Sequence, residues 1–421
     1  MAHRIWAGGA PAVAHVATAT FGTYDVTTTR TITIGSFGIG AADSGGTLTT
    51  ALTALAVLLN ASTHPYFSKI TWTSSATQII GTADTAGIPF VFIASVAGGT
   101  GTVSSTYAVS TLYEGPNDWN TPENWSGAAV PVNSDDVTIP KGTLSILWGL
   151  DQDAVTLASL TTNPGQPRIG LPYTSFITSV AASTSVETVS DIVEYRQDSL
   201  KVKVNGLAEL WRPVGPDVQA GNGRCKIDFS TQAVQVRVWG TGRTKADGGL
   251  PATRLLATSS TTDIYVHSAE GGLGIAVGKP GETSTIGDLV VTAPSAASKV
   301  FVGTGVTLTN YEQTGGENTV NGLAATLTSM KCHGGFLLVN GDFTITTLTV
   351  RGGEVEDNHI KTAGSAVTTA NLYGGLVDTR QSQEPRTWTT VNLYPGGALD
   401  GDESILTITT LNEKERYSLR A

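Results

Sequence analysis

Acidic residues recur in close groups along this chain: Asp135-Asp136, Asp151 with Asp153, Glu354 with Glu356-Asp357, and Asp400 with Asp402-Glu403. Two carboxylates held at a fixed separation are what glycoside hydrolysis needs, one as acid and one as base or nucleophile. An acidic oxygen cluster beside a basic residue is what a calcium-dependent lyase needs. The competing reading makes these turn and outward positions, where Asp bonds to nearby backbone. In the alignment of repeats below, no Asp stack is joined by a His or Arg in one register across three rungs. Asp378 and Asp400 fall just past inward positions.

Other chemistries find less. His3, His15, His64, His267 and His359 show no HxH or HExxH spacing, so no metal site is expected. No serine lies in GxSxG. Gly98-Gly99-Thr100-Gly101 lacks the Lys and helix of a phosphate-binding loop. Cys225 and Cys332 are the two cysteines, too far apart for metal-ligand spacing and too few for a disulfide scaffold. Tyr195 and Trp211 near Lys201 and Arg212 could bind a sugar or a strand, or could simply pack. The one aligned polar column is His333, Arg351 and Tyr373, each just before a Gly-Gly pair. It reads as solvated surface or as a carbohydrate- or protein-facing stripe. No cofactor is implied.

What must position these residues is a repeat. Gly-Gly pairs begin at 315, 334, 352, 374 and 396, in steps of 19, 18, 22 and 22 residues. A period near twenty marks a solenoid. Behind Thr346-Thr347, Thr368-Thr369 and Thr389-Thr390 come Leu348, Ala370 and Val391, with Leu411 in a last partial copy. Val350, Leu372 and Leu393 follow two positions later, alternating with Thr349, Asn371 and Asn392. Period two is a strand with one buried face. Gly-Gly supplies a corner, and Val355, Val377 and Leu399 turn inward after it. The expectation is a parallel β-solenoid, with Cys332 in line with Val350 as a core residue.

The remaining chain divides by composition. Residues 1–115 read as a small α+β domain, with a strand at 26–34 and a helix carrying Leu48, Leu52, Leu55 and Leu59 on one stripe. Ser44 or Thr47 can cap that helix and Pro65 keeps it from continuing. Strands are expected at 67–72, 77–81 and 89–94. Residues 116–143 form a junction in which Trp119 and Trp125 can cap the open end of a solenoid. Residues 144–411 form the β-helix, with irregular rungs or an inserted β-unit around 160–280. Residues 412–421 are a charged tail or terminal cap. Net charge is −10 over 421 residues, so a broad nucleic-acid footprint is not expected. No apolar run is long enough to span a bilayer. The first residues carry no apolar signal core, so synthesis in the host cytoplasm is expected.

Two stretches carry a resemblance. The helix ending Leu58-Leu59-Asn60-Ala61, followed by Gly81-Thr82-Ala83-Asp84-Thr85-Ala86-Gly87-Ile88-Pro89-Phe90, is similar to small domains of tailed-bacteriophage virion proteins. Ile5-Trp6-Ala7-Gly8-Gly9-Ala10-Pro11-Ala12-Val13-Ala14 resembles leader segments of such proteins. Trp119, Trp125 and Val130-Pro131 through Asp135-Asp136-Val137-Thr138-Ile139 resemble the opening segment of bacterial and phage β-helix surface proteins. The resemblance implies a non-enzymatic virion component, in head decoration or in a tail fibre, spike or baseplate. Implied partners are further copies of the chain (a homotrimer), other capsid or tail proteins, and host surface polysaccharide. A tail-spike depolymerase and a bacterial adhesin are the alternatives.

Overall fold

Alternating apolar residues and glycine corners build one of two compact units. The computed structural model describes residues 2–163, 169, 172–180, 187–197, 200–212, 225–229, 234–240, 253–267, 274–278, 283–292, 299–359, 365–381 and 385–414. One unit comprises residues 1–7, 125–170 and 198–421; the other comprises 8–124 and 171–197.

The first unit is a parallel β-solenoid. One ladder of parallel strands starts at His3–Ile5 on Asp136–Ile139 and ends at Arg386–Leu393 on Leu406–Glu413. A second ladder rises beside it and ends at Gly375–Asp378 on Gly397–Asp400. The registers are Met330↔Leu348↔Ala370↔Val391↔Leu411 and Cys332↔Val350↔Leu372↔Leu393, as the repeat alignment expects. Met330, Leu348, Ala370 and Val391 are buried, and so is Cys332, whose thiol burial pushes up to about 11.

The corners explain the glycines. Gly316, Gly335, Gly353 and Gly375 have φ of 85°, 79°, 78° and 78°, the left-handed region. A Cβ on Gly335 would lie 2.5 Å from the Gly316 carbonyl oxygen, and one on Gly375 2.5 Å from the Gly353 oxygen. Handedness and contact between rungs both exclude a side chain there.

The two ends differ. At the start, Trp6 and Trp125 bridge antiparallel with ring centroids 5.1 Å apart, both buried. The Trp6 indole N–H donates to the Leu144 carbonyl at 2.8 Å. Asp135 accepts from the Ala2 N–H (2.9 Å), Arg4 Nε (3.1 Å) and the Val132 N–H (3.2 Å), fixing the first strand. Residues 1–7 therefore belong with the solenoid and not with the rest of 1–115. Trp119 lies in the other unit, in a turn that the Asn124 side chain ties to Gly115 and Asp118 carbonyls at 2.7 and 2.8 Å. Trp125 lies in the solenoid unit. At the far end Leu411 is 51% exposed, and Glu413 takes the core register position that Leu393 holds below it.

Leu200–Arg212, Val234–Gly240 and Asp263–His267 are rungs of the first ladder. Pro172–Val180 and Glu187–Gln197 are an antiparallel pair inserted before them. The side chains of Tyr195, Trp211, Arg212 and Cys225, and the tail 415–421, lie outside the described residues.

Besides the antiparallel pair Pro172–Val180 and Glu187–Gln197 and a 3-10 turn at Pro122–Asn124, the described residues of the second unit form two larger antiparallel sheets and the helix Leu48–Ala61. One sheet has the order Ile70–Ser74, Gln78–Ala83, Val16–Gly22, Thr102–Thr111; the other has Phe37–Ala42, Thr29–Ile34, Ile93–Ala97. The helix Leu48–Ala61 buries Leu52, Leu55 and Leu59, and Thr47 caps it by accepting the Thr50 N–H at 3.2 Å. It ends before Pro65, at Ser62. Residues 67–69 are a turn, because the Phe67 and Ser68 N–H groups both donate to the His64 carbonyl at 2.9 Å; the expected strand starts at Ile70 instead.

Inside this unit Arg30 and Asp43 form a buried bidentate pair, with both Nε–Oδ1 and Nη2–Oδ2 at 2.7 Å. The guanidinium also donates to the Gly22 and Thr23 carbonyls at 3.2 and 2.7 Å and lies over the Phe21 ring. Four of the five guanidinium N–H donors are directed in this way, which is the kind of satisfaction under which a buried charge is tolerated.

Two outcomes follow. Asp43→Ala leaves the Arg30 charge buried without its counter-ion and should cost about 3–5 kcal/mol in a denaturant titration followed by tryptophan fluorescence. Gly375→Ala should destabilise the solenoid by at least about 1–2 kcal/mol from backbone handedness alone. Ala370→Gly, in the same rung but at an ordinary strand position, should cost less, about 1 kcal/mol.

Candidate functional site

The corner glycines give each rung a preceding residue that leaves the strand and faces outward. Its N–H still bonds to the rung below. His333 donates to Gln313 O (2.9 Å), Arg351 to Cys332 O (2.8 Å), Tyr373 to Val350 O (2.8 Å), Tyr394 to Leu372 O (2.9 Å) and Lys414 to Leu393 O (2.8 Å). His333, Arg351 and Tyr373 thus stand one above another, and the column continues through Tyr394 and Lys414. Sequence alignment missed these two. Pro395 separates Tyr394 from its Gly-Gly pair, and no Gly-Gly follows Lys414. Lower down, Trp239 is in register with His267 and His267 with Thr292.

The planar groups of this column stack. The Tyr373 and Tyr394 rings lie 4.2 Å apart at 20°, and the Arg351 guanidinium sits over the Tyr373 ring at 5.6 Å. Trp239 and His267 stack at 4.4 Å. A hydrogen bond with Tyr394 pushes the Tyr373 hydroxyl above its ordinary pKa. Tyr373 is 41% exposed. Beside the column, Glu312, Lys331, Thr349, Asn371, Asn392 and Asn412 succeed each other in register. Glu312 pairs with Lys331 at 3.2 Å and with His333 at 3.3 Å. The asparagines form an amide ladder, Asn392 donating to Asn371 and Asn412 to Asn392, each at 2.9 Å.

On the second ladder the structure reveals a carboxylate stack that sequence reading had not joined. Glu356, Asp378 and Asp400 are in register across three rungs. Arg380, two residues beyond the column, binds Asp378 at 2.7 Å and Asp400 at 3.0 Å. The Arg380 hydrogen bond holds the Asp378 carboxyl below its usual range, against an opposing desolvation. Beneath, Asp357 and Arg386 are both buried, 3.8 Å apart, and Arg386 Nη2 donates to the Thr379 carbonyl at 2.6 Å. Burial pulls the Arg386 guanidinium down from its ordinary value.

The other acidic candidates have local tasks. Asp135 anchors the first strand; Asp136 accepts from the Ser159 hydroxyl at 2.6 Å; Asp153 lies 3.6 Å from Lys203; Asp402 accepts the Ser404 N–H at 2.8 Å. Among the histidines, His3 contacts the Thr138 hydroxyl at 2.8 Å and His15 the Tyr107 hydroxyl at 2.9 Å. The side chain of His359 lies outside the described residues. Among the described residues no group of three or more His, Cys, Asp or Glu side chains could hold a metal ion, and no helix is long and apolar enough to cross a membrane. No family model, no curated protein and no solved structure matches the chain.

The Arg380 clamp has a pH signature. A carboxylate whose folded pKa is depressed stabilises the fold above its unfolded value and loses that contribution as pH falls. Arg380 is 55% exposed, so solvent screens the pair and the contribution is small. Arg380→Ala should therefore lower stability slightly at pH 7, and its denaturation midpoint should converge with the parent's only as pH falls below the ordinary carboxylate range.

Proposed function

We propose that this chain is a non-enzymatic structural component of a tailed-phage virion, made in the host cytoplasm and assembled as a homotrimer with other capsid or tail proteins. The observation that carries the reading is the registered solenoid with its glycine corners. Each rung satisfies the backbone of the next, so the stack is stiff and offers a protease few open strands. The N-terminal α+β unit serves as the docking part, and the segments resembling phage virion domains support this. Head decoration and tail fibre, spike or baseplate are the positions to distinguish.

A second reading is favoured by one arrangement: the Glu356–Asp378–Asp400 stack with Arg380 across two of its rungs. Carboxylates and a cation on one solenoid face are the raw material of a polysaccharide depolymerase. In the structural reading Arg380 instead neutralises like charges that the register forces together.

Peptide mass spectrometry and cryo-electron microscopy of purified particles should find this chain at a fixed stoichiometry in multiples of three. Its absence from intact particles would sink the virion reading. Incubated with host capsule or lipopolysaccharide, the purified protein should release no new reducing ends and no unsaturated sugars. Release that disappears in Asp378→Asn or Asp400→Asn would establish the enzyme instead.

A further inference from the structure

We propose that the corner column from Arg351 through Tyr373 and Tyr394 to Lys414 binds a linear acidic polysaccharide laid along the solenoid axis, one sugar to a rung. Successive rungs are about 4.8 Å apart, and a pyranose residue in an extended chain advances by nearly the same step. A repeating ligand therefore meets each rung in the same way, and small affinities add along the column.

The chemistry of the column selects the ligand. Arg351, one rung below, lies over the Tyr373 ring, and Tyr394, one rung above, stacks on it. The faces are used in stacking, so Tyr373 offers its hydroxyl and ring edge, not a platform for a base or for the apolar side of a sugar. Hydroxyl edges, and the amide ladder of Asn371, Asn392 and Asn412 beside them, suit a ligand rich in hydroxyl groups. Charge then selects an acidic one. Glu312 engages both Lys331 and His333. Arg351 and Lys414 have no carboxylate partner among the described residues and flank the tyrosine pair. They are placed to meet carboxylates of uronic-acid type on sugars three rungs apart. Single-stranded nucleic acid, the other linear polyanion, binds through free aromatic faces, and Tyr373 has none. With a net charge of −10 the rest of the surface repels a polyanion, which favours this edge and makes binding salt-sensitive.

The inference rests on rung register and not on the virion reading, so a protein absent from particles could still bind. The test uses the full chain and three probes in isothermal titration calorimetry: an octameric polyuronate, a neutral linear oligosaccharide of equal length, and single-stranded DNA of equal charge. The polyuronate should bind at low salt, with the neutral oligosaccharide and the DNA at least about tenfold weaker. Arg351→Gln and Lys414→Ala should each weaken the polyuronate about tenfold, the size expected for a lost hydrogen bond to a charged group. Tyr373→Phe with Tyr394→Phe keeps the stack, removes both hydroxyls and should weaken binding by a smaller factor, while Lys69→Ala on the other unit should change nothing. Thermal unfolding of each variant separates lost binding from lost fold. No polyuronate binding by the parent, binding untouched by Arg351→Gln and Lys414→Ala, or DNA bound as tightly with the same sensitivity would each overturn the proposal.

Discussion

The solenoid depends on how closely one rung's backbone passes over the next. At the corner, the left-handed glycine sits directly above the carbonyl oxygen of the glycine one turn earlier, as Gly375 does over Gly353. No L-residue with a side chain meets both conditions without strain. This contact sets the register from which the rest follows. Leu348, Ala370 and Val391 stack into a core column, Asn371, Asn392 and Asn412 into an amide ladder, and Arg351, Tyr373 and Tyr394 into the outward column. Side chains repeat because the backbone repeats.

The features legible in the sequence were those that recur. Three clean copies after residue 345 were enough to fix the strand, the corner and the inward positions, and with them the burial of Cys332. Features that occur once were hidden. Arg30 looked like one residue in an alternating strand, and nothing in its neighbourhood announces Asp43, which lies across a hairpin. Arg380 escaped for a related reason. It belongs to the loop after Asp378 and reaches the Asp400 rung only through the length of its side chain. Tyr394 was masked by a single proline. The strand expected to begin at Phe67 fails because two N–H groups there already share the His64 carbonyl, a competition that β-propensity cannot register.

The two polar arrays on the solenoid show opposite electrostatic economies. On the second ladder, Asp378 and Asp400 are brought into neighbouring rungs and Arg380 is spent between them. On the corner column, Arg351 and Lys414 stand at the ends of an aromatic pair with no carboxylate partner among the described residues. Carboxylates clamped by a shared cation hold neighbouring rungs together. Cations without a carboxylate partner among the described residues are left for an anionic partner, and that contrast is why an acidic ligand is sought at the corner and not at the carboxylates.

The uppermost described rung differs from those beneath it. Where Val350, Leu372 and Leu393 climb the core in register, the next residue in that position is Glu413. A further rung laid on top, whether from another copy or from a growing fibril, would have to strip water from that carboxylate. Among the described rungs, height is written in the number of repeats. Duplicating one 22-residue repeat below Glu413, such as the stretch from Gly374 to Pro395, would raise the height by a single notch.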